Sequence, residues 1–265
     1  MTEVPGARQF RAGGDDYDRF MGRYSRALAP PMADFADVRA GVTVLDLGCG
    51  PGAFTAEAVR RAGADAVRAV DPAPSFVEAC RGRFPGVDVR QGRAEEVPLE
   101  DASVDRGVAQ LVMHFVSEPD RAAAELRRVV RPGGRVAACV WGFDGGMEML
   151  RAFWDVALEV DPQAPDEART LRFGEPGELA QLWADAGLVD VAEQAIEVTS
   201  LYADVEELWQ SFLLGVGPAG GWLVQQSPER QQRLHDLLVE RLGRPEGAFE
   251  LGAVALAARG TVPEG

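Results

Sequence analysis

Two aspartates and a group of glycines stand where they could hold a nucleoside. Asp46 ends a run of β-branched and aliphatic residues, and glycines follow it at positions 48, 50 and 52. A second run of this kind, residues 66–70, ends in Asp71. Backbone without a Cβ can approach a ligand closely, and a carboxylate can accept two hydrogen bonds from a ribose diol. The pattern therefore predicts a nucleoside-binding site.

The segments around these side chains predict the elements that position them. Residues 42–47 have the composition of a buried strand, residues 66–71 have that of a second, and the spacing from Phe54 onward is helical. The two acids then stand at the carboxyl ends of strands, where open α/β sheets bind ligands. A helix that begins directly after the glycines would offer unpaired N–H groups to an anion.

Asp46 distinguishes two classes of ligand that use such a turn. It would repel the doubly charged pyrophosphate of a dinucleotide. S-adenosylmethionine has no phosphate; its ammonium group suits an aspartate, and its carboxylate suits backbone N–H groups. Asp46 thus favours the sulfonium nucleoside. The alternative is that the glycine turn binds no ligand and only packs the strand against the helix.

The segment from Leu45 to Gly52, with the sequence LDLGCGPG, resembles motif I of the class I S-adenosylmethionine-dependent methyltransferases. Residues 69–72 resemble the acidic strand end that holds the ribose in that family, residues 92–99 its turn beside the adenine, and residues 130–136 its last turn. The resemblance covers about residues 42–141. It implies an α/β, Rossmann-like sheet of seven strands in the order 3-2-1-4-5-7-6, with the last strand antiparallel and a helical cap.

The same resemblance implies S-adenosylmethionine as the cofactor, S-adenosylhomocysteine as the product, and a set of cofactor contacts. These are Tyr17, Arg23, Asp46, Gly48, Cys49, Gly50, Asp71, Pro72, Ala94, Glu95 and Gln110. Plainer interpretations stay open for three of them. The aromatic face around Tyr17 could simply dock on the domain, Asp71 could cap the helix that follows it, and Glu95 could be an exposed acid.

His114 is the candidate catalytic residue. It follows the predicted fourth strand, residues 103–110, and its ordinary pKa suits proton removal near neutrality. A hydroxyl or protonated amine acceptor would gain from such a base. The alternative is a loop or packing residue. His235, in an amphipathic segment, is predicted to lie on the surface.

Composition excludes several kinds of function. The net charge of −15 repels nucleic acid and anionic membrane surfaces. The chain has no lysine, which excludes Schiff-base chemistry and a Walker lysine. Its three cysteines are widely spaced, so we expect neither a disulfide framework nor a metal site. The first residues do not resemble a secretory signal, and no long apolar run occurs, so we expect a cytoplasmic protein.

The order of the segments predicts two parts. Residues 1–40 would form an N-terminal helical lid after a frayed tail at 1–14, with Pro30 and Pro31 interrupting the helix. Residues 41–265 would form the methyltransferase domain, with helical cap insertions at about 143–172 and 201–245. Residues 214–222 are predicted to be a flexible loop because of their glycines. Aromatic residues gather in the C-terminal half and suggest an apolar pocket.

The function expected from these features is methyl transfer to an oxygen, nitrogen or carbon nucleophile of a small apolar or aromatic metabolite. The partner would be that acceptor, and the chain would be a monomer or homodimer. Three alternatives remain. One is a nucleotide-linked oxidoreductase, which Asp46 disfavours. The others are a protein that binds S-adenosylmethionine for another reaction, such as a cyclisation, and a non-catalytic partner of another methyltransferase.

Overall fold

The computed structural model describes residues 14–143, 146–169 and 171–264. A seven-stranded sheet organises this part of the chain, in the order β3-β2-β1-β4-β5-β7-β6. Its strands are β1 (Val44–Leu47), β2 (Val67–Asp71), β3 (Asp88–Gln91), β4 (Val104–Gln110), β5 (Val130–Trp141), β6 (Val189–Tyr202) and β7 (Phe249–Thr261). The tail expected at residues 1–14 lies outside the described residues except for Gly14.

The strand pairing confirms the predicted topology. β1 pairs in parallel with β2 and β4, and the outer pairs β2–β3 and β4–β5 are also parallel. β7 runs antiparallel to both β5 and β6. All four residues of β1 are buried, as expected for a central parallel strand that is covered on both faces.

Helices cover both faces of the sheet. They are α1 (Gly14–Tyr17), α2 (Arg23–Phe35), α3 (Ala53–Ala62), α4 (Pro74–Arg83), α5 (Pro119–Val129), α6 (Glu148–Val160), α7 (Glu178–Asp185), α8 (Val205–Leu213), α9 (Gly217–Leu223) and α10 (Pro228–Arg241). The side chains of β1 alternate between the two faces: Val44 joins the core with Phe54 of α3, whereas Leu45 and Leu47 join the core on the opposite face. This alternation decides where Asp46 points.

The N-terminal helices differ from the prediction at the two prolines. α1 continues through a π-helical turn, Asp18–Gly22, into α2, and α2 contains both Pro30 and Pro31. The predicted interruption at the prolines is therefore wrong. Buried residues on both sides of the pair, Leu28 and Met32 among them, hold the helix on the core, and Arg61 of α3 donates a hydrogen bond to the carbonyl of Pro30 at 2.9 Å.

Two C-terminal elements also differ from the prediction. β5 begins at Val130, so the turn expected within residues 130–136 is part of this strand. It forms a bulge between the pairs Val104–Val130 and Arg106–Arg135. Residues 217–223 form α9 rather than a flexible loop. The glycines there permit close packing: a Cβ on Gly220 would lie 2.8 Å from the carbonyl oxygen of Phe212 in α8.

Candidate functional site

A cleft of about 810 Å³, partly open to solvent, lies at the carboxyl edge of the parallel strands. Its walls come from the ends of β1, β2 and β4, from the segment after β3, and from α1. The structure brings eight of the predicted cofactor residues together there, namely Tyr17, Gly48, Gly50, Asp71, Pro72, Ala94, Glu95 and Gln110. Arg23, Asp46 and Cys49 do not line it.

Asp71 ties the end of β2 to the glycine turn. Its Oδ2 accepts a hydrogen bond from the N–H of Gly50 at 2.9 Å, and its Oδ1 accepts one from the N–H of Ala73 at 2.8 Å. Burial raises the pKa of this carboxyl to about 6, against the opposing effect of the two hydrogen bonds. Each carboxylate oxygen can still accept another hydrogen bond. Asp71 therefore organises the backbone before α4 and can also bind a diol.

The glycine turn uses its N–H groups within the protein. Those of Gly48 and Cys49 donate to the carbonyl of Val70 at 2.7 and 3.1 Å. Gly48 has a φ of 72°, and a Cβ on it would lie 2.4 Å from a methyl carbon of Val112. Because these two N–H groups and that of Gly50 already have partners within the protein, they serve to hold the turn against β2.

Asp46 lies beneath the turn and is 1% exposed. It points to the same face of β1 as Val44, where its Oδ2 accepts a hydrogen bond from the hydroxyl of Thr55 at 2.5 Å. The backbone N–H of Thr55, in the first turn of α3, also bonds to it. Burial, together with a smaller effect of the nearby Asp71, raises the pKa of Asp46 to about 7. Asp46 therefore caps α3 and makes no wall of the cleft.

Arg23 points away from the cleft, contrary to the sequence-based expectation. Its guanidinium lies 4.2 Å from the ring centre of Tyr202, and it donates hydrogen bonds to the carbonyl of Leu201 at 2.9 Å and to Glu207 at 2.5 Å. These partners belong to β6 and the start of α8. Arg23 thus ties α2 to the sheet edge and to the helix that follows it.

Gln110, at the end of β4, lines the cleft and carries a buried amide oxygen. Its Nε2 donates to the carbonyl of Ser25 at 2.9 Å, which fixes the orientation of the amide because a carbonyl only accepts. The Oε1 atom has no hydrogen-bond partner among the residues that the structure describes. An unpaired buried acceptor is costly, so a ligand that donates a hydrogen bond here gains affinity.

Glu95 and Tyr17 both line the cleft. Glu95 is 6% exposed, and its Oε1 accepts from the N–H of Ser117 at 3.2 Å, so it is not the exposed acid of the alternative interpretation. The ring of Tyr17 packs edge-on against Phe76 of α4, with 5.6 Å between the centroids. Burial raises the pKa of Tyr17 to about 12, and its phenol stays protonated.

A second cavity, with about 490 Å³ of space including some open solvent, adjoins the cleft, and the two share Tyr17, Leu111 and Phe115. Leu111 has a φ of 62°, a left-handed conformation that is strained for leucine. Aromatic and aliphatic side chains dominate the wall, which also includes Phe20, Met21, His114, Trp141, Phe143, Leu150, Glu167, Leu171, Gly217 and Pro218. The later members of this set fall within the predicted cap insertions.

His114 lines this second cavity with both ring nitrogens engaged. Its Nδ1 lies 2.7 Å from the carbonyl oxygen of Arg172, and its Nε2 lies 2.9 Å from the backbone nitrogen of Trp141. The carbonyl requires a proton on Nδ1, and the N–H of Trp141 requires a lone pair on Nε2, so the imidazole is neutral. Burial lowers its pKa to about 4. The geometry supports the packing alternative for His114 and does not support the expected base.

Glu167 is an acid of this cavity that sequence reasoning missed. It is 5% exposed, and its Oε2 accepts a hydrogen bond from the indole N–H of Trp154 at 2.8 Å. Burial raises its pKa to about 7. The segment around it has no motif, and its position in a cap insertion was the only signal.

Within the described ranges, no group of three or more His, Cys, Asp or Glu side chains could hold a metal ion. No helix within these ranges has both the length and the apolar surface that a membrane span requires.

Comparisons with known proteins agree with this architecture. A family model described as a methyltransferase domain matches residues 45–138. An uncharacterised protein in transposon Tn4556 of Streptomyces fradiae is 33% identical over 195 residues, which are 69% of this chain and 53% of that protein. An uncharacterised methyltransferase of Mycobacterium tuberculosis is 41% identical over 124 residues, 46% of this chain and 49% of that protein. This chain therefore spans about half the length of these curated relatives.

A solved structure shows the same fold over the whole chain. It is phosphoethanolamine N-methyltransferase 2 of Haemonchus contortus, in complex with phosphomonomethylethanolamine and S-adenosylhomocysteine. The match covers 100% of this chain and 61% of that chain, at 15% identity and a TM-score of 0.62. The strand order, the glycine turn and the matched family model agree with one another. Residues 45–138 are a methyltransferase domain, and the sheet has the strand order that the resemblance to the class I S-adenosylmethionine-dependent methyltransferases implied.

Proposed function

We propose that this protein transfers the methyl group of S-adenosylmethionine to an oxygen, nitrogen or carbon nucleophile of a small apolar or aromatic metabolite. The observation that carries the proposal is the junction of two cavities. A cleft with hydrogen-bonding groups for a nucleoside adjoins an aromatic cavity, and Tyr17, Leu111 and Phe115 line both. A donor and an acceptor held in the two cavities would meet at these residues.

The residues of the cleft fit the family's cofactor. Asp71 would accept hydrogen bonds from the ribose hydroxyls, and the unpaired Oε1 of Gln110 would accept one from the ammonium group. Ala94 and Glu95 would lie along the adenine. When bound, the sulfonium supplies a methyl group on a good leaving group. Arg23, Asp46 and Cys49 are not part of this proposed cofactor site, because they do not line the cleft.

The chain itself contributes orientation and the exclusion of water. The second cavity is walled mainly by buried aromatic and aliphatic side chains, which would strip solvent from the nucleophile. We assign His114 a structural part, in which it joins the segment after β4 to β5 through Trp141. Rate enhancement would come largely from alignment of the reacting atoms.

The division into lid, domain and cap supports the same function. We propose residues 1–40 as the lid because Tyr17 lines both cavities and Phe20 lines the second. We propose 143–172 and 201–245 as the cap because Leu150, Glu167 and Gly217 line the second cavity. A cytoplasmic, monomeric or homodimeric protein, with a small-molecule acceptor as its partner, remains part of this proposal.

The test begins with calorimetric titration of the protein with S-adenosylhomocysteine and, separately, with NADH. We expect the first to bind and the second not to bind. A panel of small aromatic and polyketide-like acceptors is then assayed with S-adenosylmethionine for release of S-adenosylhomocysteine. Preference for NADH would contradict the proposal. Cofactor binding without release of that product across the panel would favour a non-methylating reaction or a non-catalytic partner.

A matched pair of variants tests the proposed position of the cofactor in the cleft. Gln110→Met removes the unpaired acceptor and should weaken binding of S-adenosylmethionine about tenfold, the usual size of a lost hydrogen bond to a charged group. Gln91→Met is the control, because Gln91 also ends a strand and donates to a carbonyl, that of Pro72 at 3.2 Å, but does not line the cleft. Equal affinities in the two variants would remove Gln110 from the site.

A further inference from the structure

Glu167 is held in a fixed position inside the second cavity. It begins a short 3-10 turn, Glu167–Arg169, that follows α6. The indole of Trp154, itself 1% exposed, donates to its Oε2 at 2.8 Å. Because Trp154 belongs to the rigid body of α6, the carboxylate cannot swing freely out of the cavity wall. The turn therefore presents an oriented acid among aromatic neighbours.

Charged residues next to Glu167 also bond to one another. Asp166, the residue before it, accepts hydrogen bonds from Arg151 of α6 at 3.0 Å and from the N–H of Ala168 at 3.1 Å. Arg151 also bonds to Asp155 at 2.7 Å. The N-terminal helices contribute Tyr17 to the cavity, and the segment after β4 contributes the neutral His114. Among the described residues of the cavity wall, Tyr17, His114 and Glu167 are the ionisable ones.

Only one of these three side chains can take a proton from the methyl acceptor. Both nitrogens of His114 are engaged by backbone groups. Tyr17 holds its own proton, since its pKa is raised to about 12. Glu167 has a pKa near 7, so a large fraction is ionised at neutral pH although burial disfavours the charge. A carboxyl with such a pKa is suited to general-base work.

We propose that Glu167 binds the reacting hydroxyl of a phenolic or enolic acceptor in the second cavity and accepts its proton during methyl transfer. The proposal rests on the proposed function and names its substrate class. The acceptor oxygen forms a bond to the methyl carbon, the carbon–sulfur bond breaks, and its electron pair stays on the sulfur. The hydroxyl proton passes to the carboxylate of Glu167 and later to solvent. Aromatic walls suit a planar body, and a phenol is far more acidic than an alkyl alcohol.

The experiment uses the whole chain with saturating S-adenosylhomocysteine and three phenolic probes: phenol, 2-naphthol and 7-hydroxycoumarin. Each probe is compared with its methyl ether, which fills the same space without a donor. Wild type should bind at least one phenol about tenfold more tightly than its ether, as expected for a hydrogen bond to a charged group. Glu167→Leu should lose this preference while its affinity for the ether stays the same.

Turnover separates proton acceptance from packing. With S-adenosylmethionine, the rate of phenol methylation in wild type should rise with pH through about 7, where Glu167 ionises. Glu167→Gln keeps the shape of the side chain and the acceptor for Trp154, and should lose both that rise and most of the rate. Glu240→Gln is the matched control, an exposed glutamate of α10 outside both cavities.

The outcomes distinguish this proposal from the one on which it rests. All variants should bind S-adenosylhomocysteine as wild type does; failure of wild type to bind it would overturn the proposed function and, with it, the role of Glu167. Normal cofactor binding together with an unchanged phenol preference in Glu167→Leu would overturn the role of Glu167 alone. The same holds if no phenol binds to wild type, or if Glu167→Gln keeps the wild-type rate and pH profile.

Discussion

Trp141 donates its backbone N–H to the Nε2 atom of His114 across 2.9 Å, and this bond leaves the imidazole without a lone pair for catalysis. Replacement of His114 by Ala would leave that N–H and the carbonyl of Arg172 unpaired in a buried place. We expect the free energy of unfolding to fall by about 1–3 kcal/mol, measured by urea denaturation.

The pH dependence of turnover provides the second part of this test. Since the imidazole stays neutral with a pKa of about 4, His114→Ala should leave the rise in rate near pH 7 in place. His235→Ala is the control for loss of a histidine, because His235 lies on α10 outside both cavities. Loss of that rise with unchanged stability would restore His114 as the base.

Cofactor affinity should depend on the charge of Asp71. Asp71→Ala should weaken binding of S-adenosylhomocysteine about tenfold or more, since charge-assisted hydrogen bonds to the ribose are lost. Burial raises the pKa of Asp71 to about 6, so wild-type affinity should fall as pH decreases through that value and the carboxyl becomes protonated. Calorimetry at pH 5 and 7.5 measures both effects.

Asp65→Ala is the matched control for this experiment, because Asp65 is an exposed acid just before β2. It should bind S-adenosylhomocysteine as wild type does at both pH values. If Asp71→Ala did the same, Asp71 would have no part in binding, and its hydrogen bonds to Gly50 and Ala73 would be its whole role.

The two glycines at the start of the turn should respond differently to an added methyl group. Gly48→Ala combines a φ of 72° with a contact of 2.4 Å to Val112, whereas a Cβ on Gly50, at a φ of 53°, meets nothing within 4 Å. Left-handed backbone costs an alanine about 1–2 kcal/mol in either case. Gly48→Ala should therefore lose clearly more stability than Gly50→Ala in thermal denaturation, and equal losses would contradict the packing described here.

Asp46 should make stability depend on pH. Its pKa is raised from 3.8 to about 7 in the folded protein, so the folded state binds more protons than the unfolded state between these values. Its contribution is therefore present at low pH and is lost as pH rises toward 7. Asp46→Asn removes the titrating group and keeps an acceptor for Thr55.

The test compares free energies of unfolding of Asp46→Asn and wild type at pH 4.5 and 7.5. The free energy of unfolding of the variant, relative to that of wild type, should be larger at pH 7.5 than at pH 4.5, because wild type must hold a buried charge at the higher pH. Asp65→Asn is the control for the loss of an exposed carboxyl group. A difference for Asp46→Asn that is the same at both pH values would show that the carboxyl of Asp46 ionises equally in both states.

Much of the sheet and part of the site could be predicted from the sequence. The strand order that the family resemblance implied is confirmed, and so is the place of Asp71 at a strand end. The turn after β1 and the position of Asp71 depend on local patterns: aliphatic runs, glycines where the chain turns, and an acid where a run ends. The helix through Pro30 and the helix at 217–223 could not be predicted, because packing against distant segments outweighs local preference there.

The sequence by itself determined the methyltransferase domain and, through its resemblance to that family, the topology and the edge of the sheet where the candidate site lies, because the motifs consist of residue types at short spacings. Only the tertiary structure decided what each polar side chain does. Asp46 turns to α3, Arg23 to β6, and His114 to Trp141, while Glu167 faces the aromatic cavity. The physical reason is that each orientation depends on partners from several elements of the chain, and neighbouring side chains along a strand or helix point in different directions.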